Sequence, residues 1–451
     1  MAENLTVLII GNGAREHAIS QAYENSADVK RIIVASGNDF ITYNREKEVI
    51  IDKNCNLKQL ESILWVAKKH KPDLVDVAQD DVLALGTVDL LQENGFLVFG
   101  PNRNAARIEW DKKWSKELMI RNNIPTADFR PFNLREKENA VDYVKSVYRE
   151  NPNKLLYVKA TGLCSGKGAL KSANLEEAIV NIEKMKYFGD AGKTFLIEDG
   201  LEGEELSYFV ATDGFSMRFF KSAQDNKTAF NFDRGDQTGG MGAISPTLLT
   251  QNKSIENDVR ADLIGHAIDG LRFENLTYKG ILYVGGIVVD GKPFVIEYNA
   301  RWGDPECQVV LPSLESDYLE TVLACLEKKL LSFDIQQDNK TRVCVVGVSR
   351  GYPDPKEYSD VISKRIYGLE DAMKIGGIKI FGAGIKIEDG KFYANGGRLF
   401  SIVAEGDNII EARQKAYSAI AYTYIEGNNL HYRTDIGWRD VERFYSKNLK
   451  I

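Results

Sequence analysis

The sequence predicts a multidomain α/β and α+β protein that begins with a parallel-sheet α/β domain and ends in an α+β piece. Three observations carry this expectation. The chain has 451 residues, more than one hydrophobic core usually supports, so about two to four domains are expected. Over the first hundred or so residues, strand-length apolar runs alternate with helical patterns, as in a parallel sheet with right-handed crossovers. Beyond a polar, charged stretch at 329–340 the order changes to strands, an Asp-Gly turn and one long helix.

The elements follow in order. Leu5-Thr-Val-Leu-Ile-Ile10 is a buried-strand pattern, followed by Gly11-Asn-Gly13 and a helix from Ala14. Further strands are expected at 31–35, 73–78 and 96–99, with helices near 57–70 and 83–94, and Gly100-Pro101 punctuates the end of this unit. A domain over 1–103 is therefore expected. Next come a helix at 104–122, a break at Ile124-Pro125, a helix near 138–148, a strand at 155–160, a glycine-rich loop and a helix at 174–187. Strands at 194–198 and 205–212, a long helix at 255–273 and a hairpin turning on Asp290-Gly291 complete a central domain over 104–330. Its residues from about 124 to 194 are expected to form a separate lobe. The last unit, 331–451, should hold strands at 342–348, 377–386 and 398–404, an Asp389-Gly390 turn and a helix at 407–424.

Composition narrows the function classes. A chain 43% hydrophobic and 27% charged has material for cores and is not expected to be disordered. A net charge of −7 offers no electrostatic footprint for nucleic acid or an anionic membrane. The five cysteines, Cys55, Cys164, Cys307, Cys325 and Cys344, show no CxxC spacing and read as reduced thiols. The four histidines are scattered, so a zinc site is not expected. The apolar run at 5–10 is too short for a signal peptide, and none of the runs reaches the length of a membrane span. A cytoplasmic protein, monomer or homodimer, is the expectation.

The segment Val295-Ile-Glu-Tyr-Asn-Ala-Arg-Trp-Gly-Asp-Pro-Glu306 is the most informative. Strand alternation places Glu297, Asn299 and Arg301 on one face and Ile296 and Tyr298 on the other. A carboxylate beside a carboxamide oxygen suits a hard cation, and a neighbouring guanidinium suits an anion. A surface hairpin with polar outward positions is the other reading. Gly11-Asn-Gly13-Ala-Arg-Glu-His17 sits where a strand turns into a helix, a place for phosphate, although Glu16 replaces the third glycine of a dinucleotide fingerprint. A tight turn alone also accounts for it. Lys159-Ala-Thr-Gly-Leu-Cys-Ser-Gly166-Lys167-Gly168 pairs flexible amides with an ammonium, as polyphosphate binding requires, yet it is not a Walker A sequence. Its other reading is a mobile hairpin tip. Leu196-Ile-Glu198-Asp-Gly-Leu-Glu-Gly-Glu204-Glu205 ends a strand in clustered carboxylates, and Asp233-Arg-Gly-Asp-Gln-Thr-Gly239-Gly-Met-Gly242 is a further glycine-rich loop. Such loops together with a carboxylate–amide pair are rarer than any one of them, and they suggest an ATP-using enzyme.

In this order the segments resemble the phosphoribosylamine–glycine ligase (glycinamide ribonucleotide synthetase) family of the ATP-grasp superfamily. Gly100-Pro101 with Lys112, Gly351-Tyr-Pro353 and His431-Tyr-Arg-Thr-Asp-Ile-Gly-Trp438 extend the resemblance nearly end to end. It implies a Rossmann-like amino-terminal domain, a central ATP-grasp fold and a small carboxy-terminal α+β domain. It also implies a reaction in which ATP, glycine and 5-phosphoribosylamine give glycinamide ribonucleotide, ADP and phosphate through glycyl phosphate. By motif position Lys112 and Lys159 would contact ATP phosphates, and the loop of Ser165, Gly166, Lys167 and Gly168 would close over the nucleotide. Glu198 and Leu201 would flank adenine, with Glu204 or Glu205 at the ribose. Glu297 and Asn299 would hold Mg²⁺ or Mn²⁺. Arg301, Lys167 and Asp304 would be the catalytic groups, with Asp233, Gly239 and Asp304 near glycine. Gly11, Gly13, Arg15, Glu16, His17 and Asp80 would hold the phosphoribosyl end. The chain departs from the family at Ala78-Gln79-Asp80, where Gly-Pro-Glu is usual, and at Asp236-Gln237, where Pro-Asn is usual. A ligase for a different carboxylate and amine, and a non-catalytic nucleotide-binding protein of the same fold, are the alternatives.

Overall fold

A computed structural model describes residues 4–164 and 166–448. Its first sheet has the order Glu48–Ile51, Val29–Ser36, Leu5–Gly11, Leu74–Val77, Val98–Phe99, with every neighbour parallel. The strands are nearly continuous apolar runs because helices cover both faces of a parallel sheet. The strand order reverses between Leu5–Gly11 and Leu74–Val77, so their carboxyl ends, Gly11 and Val77, flank a crevice of the kind that holds ligands in open α/β sheets.

Two of the expected helices are broken. That near 83–94 is two helices, Asp80–Leu85 and Thr87–Glu93, divided at Gly86, whose φ is +90°. The helix over 104–122 is divided at Asp111 into Arg107–Trp110 and Lys112–Arg121. The Asp111 carboxylate accepts from the Trp114 backbone N–H at 3.1 Å, capping the second piece.

Residues 129–199 form a lobe around an antiparallel sheet in the order Phe129–Asn133, Thr194–Asp199, Leu156–Ala160, Ala169–Ser172. The helices Lys137–Glu150 and Leu175–Lys184 pack on it over a separate core that includes Phe132, Val144, Val158, Ile182 and Phe195. A second antiparallel sheet runs Met217–Phe219, Glu204–Thr212, Gly280–Val289, Lys292–Asn299. Its last two strands turn on Asp290 and Gly291, both left-handed (φ +48° and +79°), the conformation a two-residue hairpin of native twist requires. The long helix expected over 255–273 contains a π-helical stretch, Val259–Gly265, between Lys253–Asp258 and His266–Phe273. The Leu263 carbonyl within that widened turn accepts from the Tyr298 hydroxyl.

The strands Thr341–Ser349, Arg398–Gly406 and Ile378–Gly382 share a sheet with Gln224–Asp225 and Gly242–Ser245. Carboxy-terminal and central segments are thus joined by backbone hydrogen bonds. The expected strand at 377–386 is two, Ile378–Gly382 and Ile385–Glu388, in different sheets. Among the described residues no helix is long and apolar enough to cross a membrane.

Candidate active site

A cleft of about 490 Å³ opens where the crevice of the first sheet, the 129–199 lobe and the Lys292–Asn299 strand meet. The strand supplies the central groups. Its register against Gly280–Val289 slips between Gly285, opposite Glu297, and Gly286, opposite Val295. The extra residue is Ile296, and such a bulge turns two successive side chains to one face. Ile296 therefore lines the cleft with Glu297, whereas alternation places it on the far face; Tyr298 also borders the cleft, while its hydroxyl reaches the Leu263 carbonyl in the core.

The Arg301 guanidinium donates to Asn299 Oδ1 at 3.0 Å and to the Trp302 carbonyl at 3.1 Å, and it pairs with Glu109 at 2.8 Å. Burial works against its charge, but Glu109, Asp80 and Glu297 outweigh burial and raise its pKa. Burial also pushes Glu297 up, and Lys227, Lys112, Lys159 and Arg301 more than offset it, so Glu297 lies below its ordinary value and is ionised at neutral pH. An ionised carboxylate beside a carboxamide oxygen fits a hard divalent cation. Asn299 Oδ1, the oxygen such a cation would take, accepts from Arg301 and keeps its second lone pair for the metal; the amide nitrogen, which has no partner among the described residues, is a donor and takes no part in holding a cation. Among the described residues no group of three or more His, Cys, Asp or Glu side chains converges on a common point. A cation held here would take most of its oxygens from phosphate and water.

Cations line one wall of the cleft. Lys112 and Lys159 both face the cleft. Lys159 Nζ donates to Glu198 Oε1 at 2.8 Å, and Lys116 Nζ lies 3.1 Å from Glu198 Oε2. Burial pulls Lys116 down to about 8 despite the carboxylate. Lys227 pairs with Glu205 at 2.8 Å, which with Tyr283 and Glu297 overcomes burial and raises the lysine. Leu201, Gly166 and Gly168 complete this wall.

At the crevice Glu16 turns inward: Oε2 accepts from the Gly13 N–H at 2.6 Å and Oε1 from Arg15 Nε at 2.7 Å. A Cβ on Gly11 would lie 2.5 Å from the Glu16 side chain, so this glycine makes room for the carboxylate rather than facing the cleft. Arg15 reaches the Trp302 carbonyl at 3.4 Å. Asp80, 3.8 Å from Arg301, is pushed up by burial but held below its usual value by Arg301 and Arg15. Asp304, also in the cleft, receives Arg398 Nη2 on Oδ2 at 2.8 Å, and the Gly239 N–H donates to the Tyr352 hydroxyl at 2.9 Å.

Other expected site residues are directed elsewhere. His17 is buried, its Nδ1 accepting from the Gly382 N–H at 3.0 Å; burial and Arg45 keep it well below its ordinary pKa. It joins the first sheet's helix to the carboxy-terminal sheet. Lys167 donates to the Pro353 carbonyl at 3.2 Å, resting its loop on the carboxy-terminal part. Glu204 is engaged by Arg443 and by Gln224. Asp233, at a hairpin tip, is bound by Arg433 at 3.1 Å and Arg439 at 2.8 Å. These last two carboxylates are neutralised by arginines some 200 positions away, outside the cleft. Ser165 lies outside the described residues.

Sequence reasoning missed Glu109, Lys116, Lys227 and Arg398, all in the cleft. For Lys116 a signal existed, since it follows Lys112 by one helical turn. Glu109 and Arg398 sit in a short helix and a glycine-flanked strand start that nothing local marks.

A parallel-sheet crevice opening onto a cleft between two antiparallel sheets, walled by lysines and floored by a carboxylate–amide pair, is the architecture of an ATP-grasp ligase. The chain belongs to the phosphoribosylglycinamide synthetase family: residues 5–109 match its N domain, 110–307 its ATP-grasp (A) domain and 342–439 its C domain. It is 37% identical over 441 residues to a phosphoribosylamine–glycine ligase of Fusobacterium nucleatum, covering 96% of this chain and 98% of that protein. It is also 37% identical over 437 residues to a bifunctional purine biosynthetic protein of Schizosaccharomyces pombe, and there it spans only 53% of the relative. A crystal structure of phosphoribosylamine–glycine ligase from Thermotoga maritima superposes with a TM-score of 0.77 at 28% identity, over 96% of this chain and all of that one.

Proposed function

We propose that the protein joins glycine to 5-phosphoribosylamine at the expense of ATP, giving glycinamide ribonucleotide, ADP and phosphate through glycyl phosphate, a step of de novo purine biosynthesis. The observation that carries this reading is the Trp302 carbonyl, onto which Arg15 and Arg301 both donate, at 3.4 and 3.1 Å. It sets a cation of the sugar-phosphate crevice beside a cation of the phosphoryl-transfer site, as the two half-reactions on one amino acid require.

Lys112, Lys116, Lys159 and Lys227 gather positive charge along the nucleotide wall and hold the triphosphate in line. Glu297 and Asn299 would carry Mg²⁺ or Mn²⁺, which when bound screens the phosphate oxygens during transfer. Glycine's carboxylate oxygen forms a bond to the γ-phosphorus as the bond to ADP breaks. Arg301, permanently cationic, faces the charge that builds on the transferring group. The ribosylamine nitrogen then attacks the acyl carbon, phosphate departs, and the amine gives up a proton. Arg15, Asp80 and the Gly13 loop orient the sugar phosphate for that attack. Water must be kept from the acyl phosphate, and Leu163, Cys164, Gly166 and Gly168 lie along this wall of the cleft. Glu198 and Glu205 already hold lysines here, so their nucleotide contacts would be made alongside those pairs.

The test is glycine-dependent phosphate release from ATP, with phosphoribosylamine generated in situ and each substrate omitted in turn. Release that needs both is expected. Release with a different amino acid or amine would move the substrate within the same chemistry, and bound ATP without release would leave a nucleotide-binding protein.

A further inference from the structure

Glu109 is among the buried carboxylates of the cleft that phosphoryl transfer leaves unemployed. Glu109 sits on the short helix Arg107–Trp110, between the first sheet and the helix that carries Lys112 and Lys116, and is 6% exposed. Each of its oxygens is used. Oε1 lies 2.8 Å from Arg301 Nη2, and Oε2 accepts the Ala300 backbone N–H at 2.7 Å. One carboxylate therefore grips both the guanidinium and the backbone that leads into Arg301.

Arg301 otherwise leans on Asn299 Oδ1 and the Trp302 carbonyl, and its Nε–H is buried without a partner among the described residues. Glu109 is the closest acid to it, Asp80 standing off at 3.8 Å. A long guanidinium side chain has considerable rotational freedom to lose, and two-point anchoring by a buried acid removes it before substrate arrives.

We propose that Glu109 is a positioning residue, fixing the Arg301 guanidinium in the orientation in which it meets the transferring phosphoryl group. What Arg301 acts on rests on the ligase reading; the anchoring itself does not.

Glu109→Gln preserves volume but offers a single acceptor oxygen to two donors. In the full-length chain, kcat for glycine-dependent phosphate release should fall about tenfold to hundredfold, the cost of an unpaired buried donor. The Kd for ATP should stay within about threefold, since loss confined to kcat marks a contact made in the transition state. In an Arg301→Ala background the same substitution should change kcat by less than about threefold, because nothing remains to be positioned. Wild-type kcat in Glu109→Gln, or losses that multiply in the double variant, would overturn the assignment. A readout independent of turnover is the side-chain Nε–H resonance of Arg301 in ¹⁵N-arginine-labelled protein, identified by its loss in Arg301→Lys. It should shift or broaden in Glu109→Gln, and an unchanged signal sinks the proposal. An inactive wild type whose Arg301 signal still responds to Glu109→Gln would overturn the ligase reading alone.

Discussion

Arg301 and Glu297 are neighbours in charge as well as in sequence, and substituting each should have a different effect. On the proposed reading Arg301→Ala removes a cation that faces developing charge, so kcat should drop about 10²–10³-fold, as when one transition-state donor is lost, with the ATP Kd nearly unchanged. Comparable losses in both would make Arg301 a general binding group. Glu297→Gln should instead raise the Mg²⁺ concentration needed for half-maximal turnover by about tenfold or more, because a neutral amide replaces the ionised carboxylate proposed to hold the metal. An unaltered metal requirement removes Glu297 from that role. These residues were legible in the sequence because a strand's alternation and the dense run that follows depend on local order alone. Ile296 was not, since a bulge depends on the partner strand. Asp233 and Glu204 looked like ligands for the same reason: the arginines that engage them, Arg433 and Arg443, are close only in the fold.

The helices show what periodicity hides. A continuous helix over 104–122 would have placed Lys112 in mid-helix, where its neighbours' N–H groups are already bonded. The break at Asp111 makes Lys112 the first helical residue and sets Lys116 one turn further along the same face. The capping contact, Asp111 Oδ1 to the Trp114 N–H at 3.1 Å, holds that start. Asp111→Ala should cost about 1 kcal/mol, the usual worth of such a cap. Amide hydrogen exchange should speed up through Lys112–Arg121 and leave the Leu175–Lys184 helix of the other lobe as it was. Uniform acceleration, or none, would mean that the cap does not hold this turn locally. A helix's hydrophobic face continues across a one-residue break, which is why the pattern gave no warning of it.

At the scale of the molecule, segments far apart in the chain meet through backbone pairing and buried polar groups. Sequence reasoning anticipated the parallel sheet from its alternation of strands and helices, but not that Gly242–Ser245 pairs with Thr341–Ser349 across the polar stretch at 329–340. That pairing is long-range, and nothing in either segment specifies its partner. The same distance hides the surroundings of Asp76, which the strand Leu74–Val77 buries at 3% exposure. Its Oδ2 accepts from the Tyr23 hydroxyl of the helix Ala14–Glu24 at 2.8 Å. The Tyr23 ring in turn packs edge-on against Tyr318, the first residue of the helix Tyr318–Leu326, with centroids 4.9 Å apart. Burial raises Asp76 to about 7, with Glu16 adding to the rise and the Tyr23 hydroxyl opposing it. A carboxyl whose pKa is higher in the folded state than in the unfolded chain binds its proton more tightly when folded. Between the unfolded value of about 4 and the folded value of about 7 the native state therefore holds more protons, and its stability falls as pH rises. Over about three pH units this amounts to roughly 4 kcal/mol at most. Asp76→Asn has no proton to lose and can still accept from Tyr23. The difference in Tm between Asp76→Asn and the wild type should therefore move in favour of the variant as pH rises from about 4 to about 7, and level off above that. A difference that stays constant across this range would mean that Asp76 ionises at an ordinary value, and that the phenol hydroxyl stabilises its charge enough to cancel the cost of burying it.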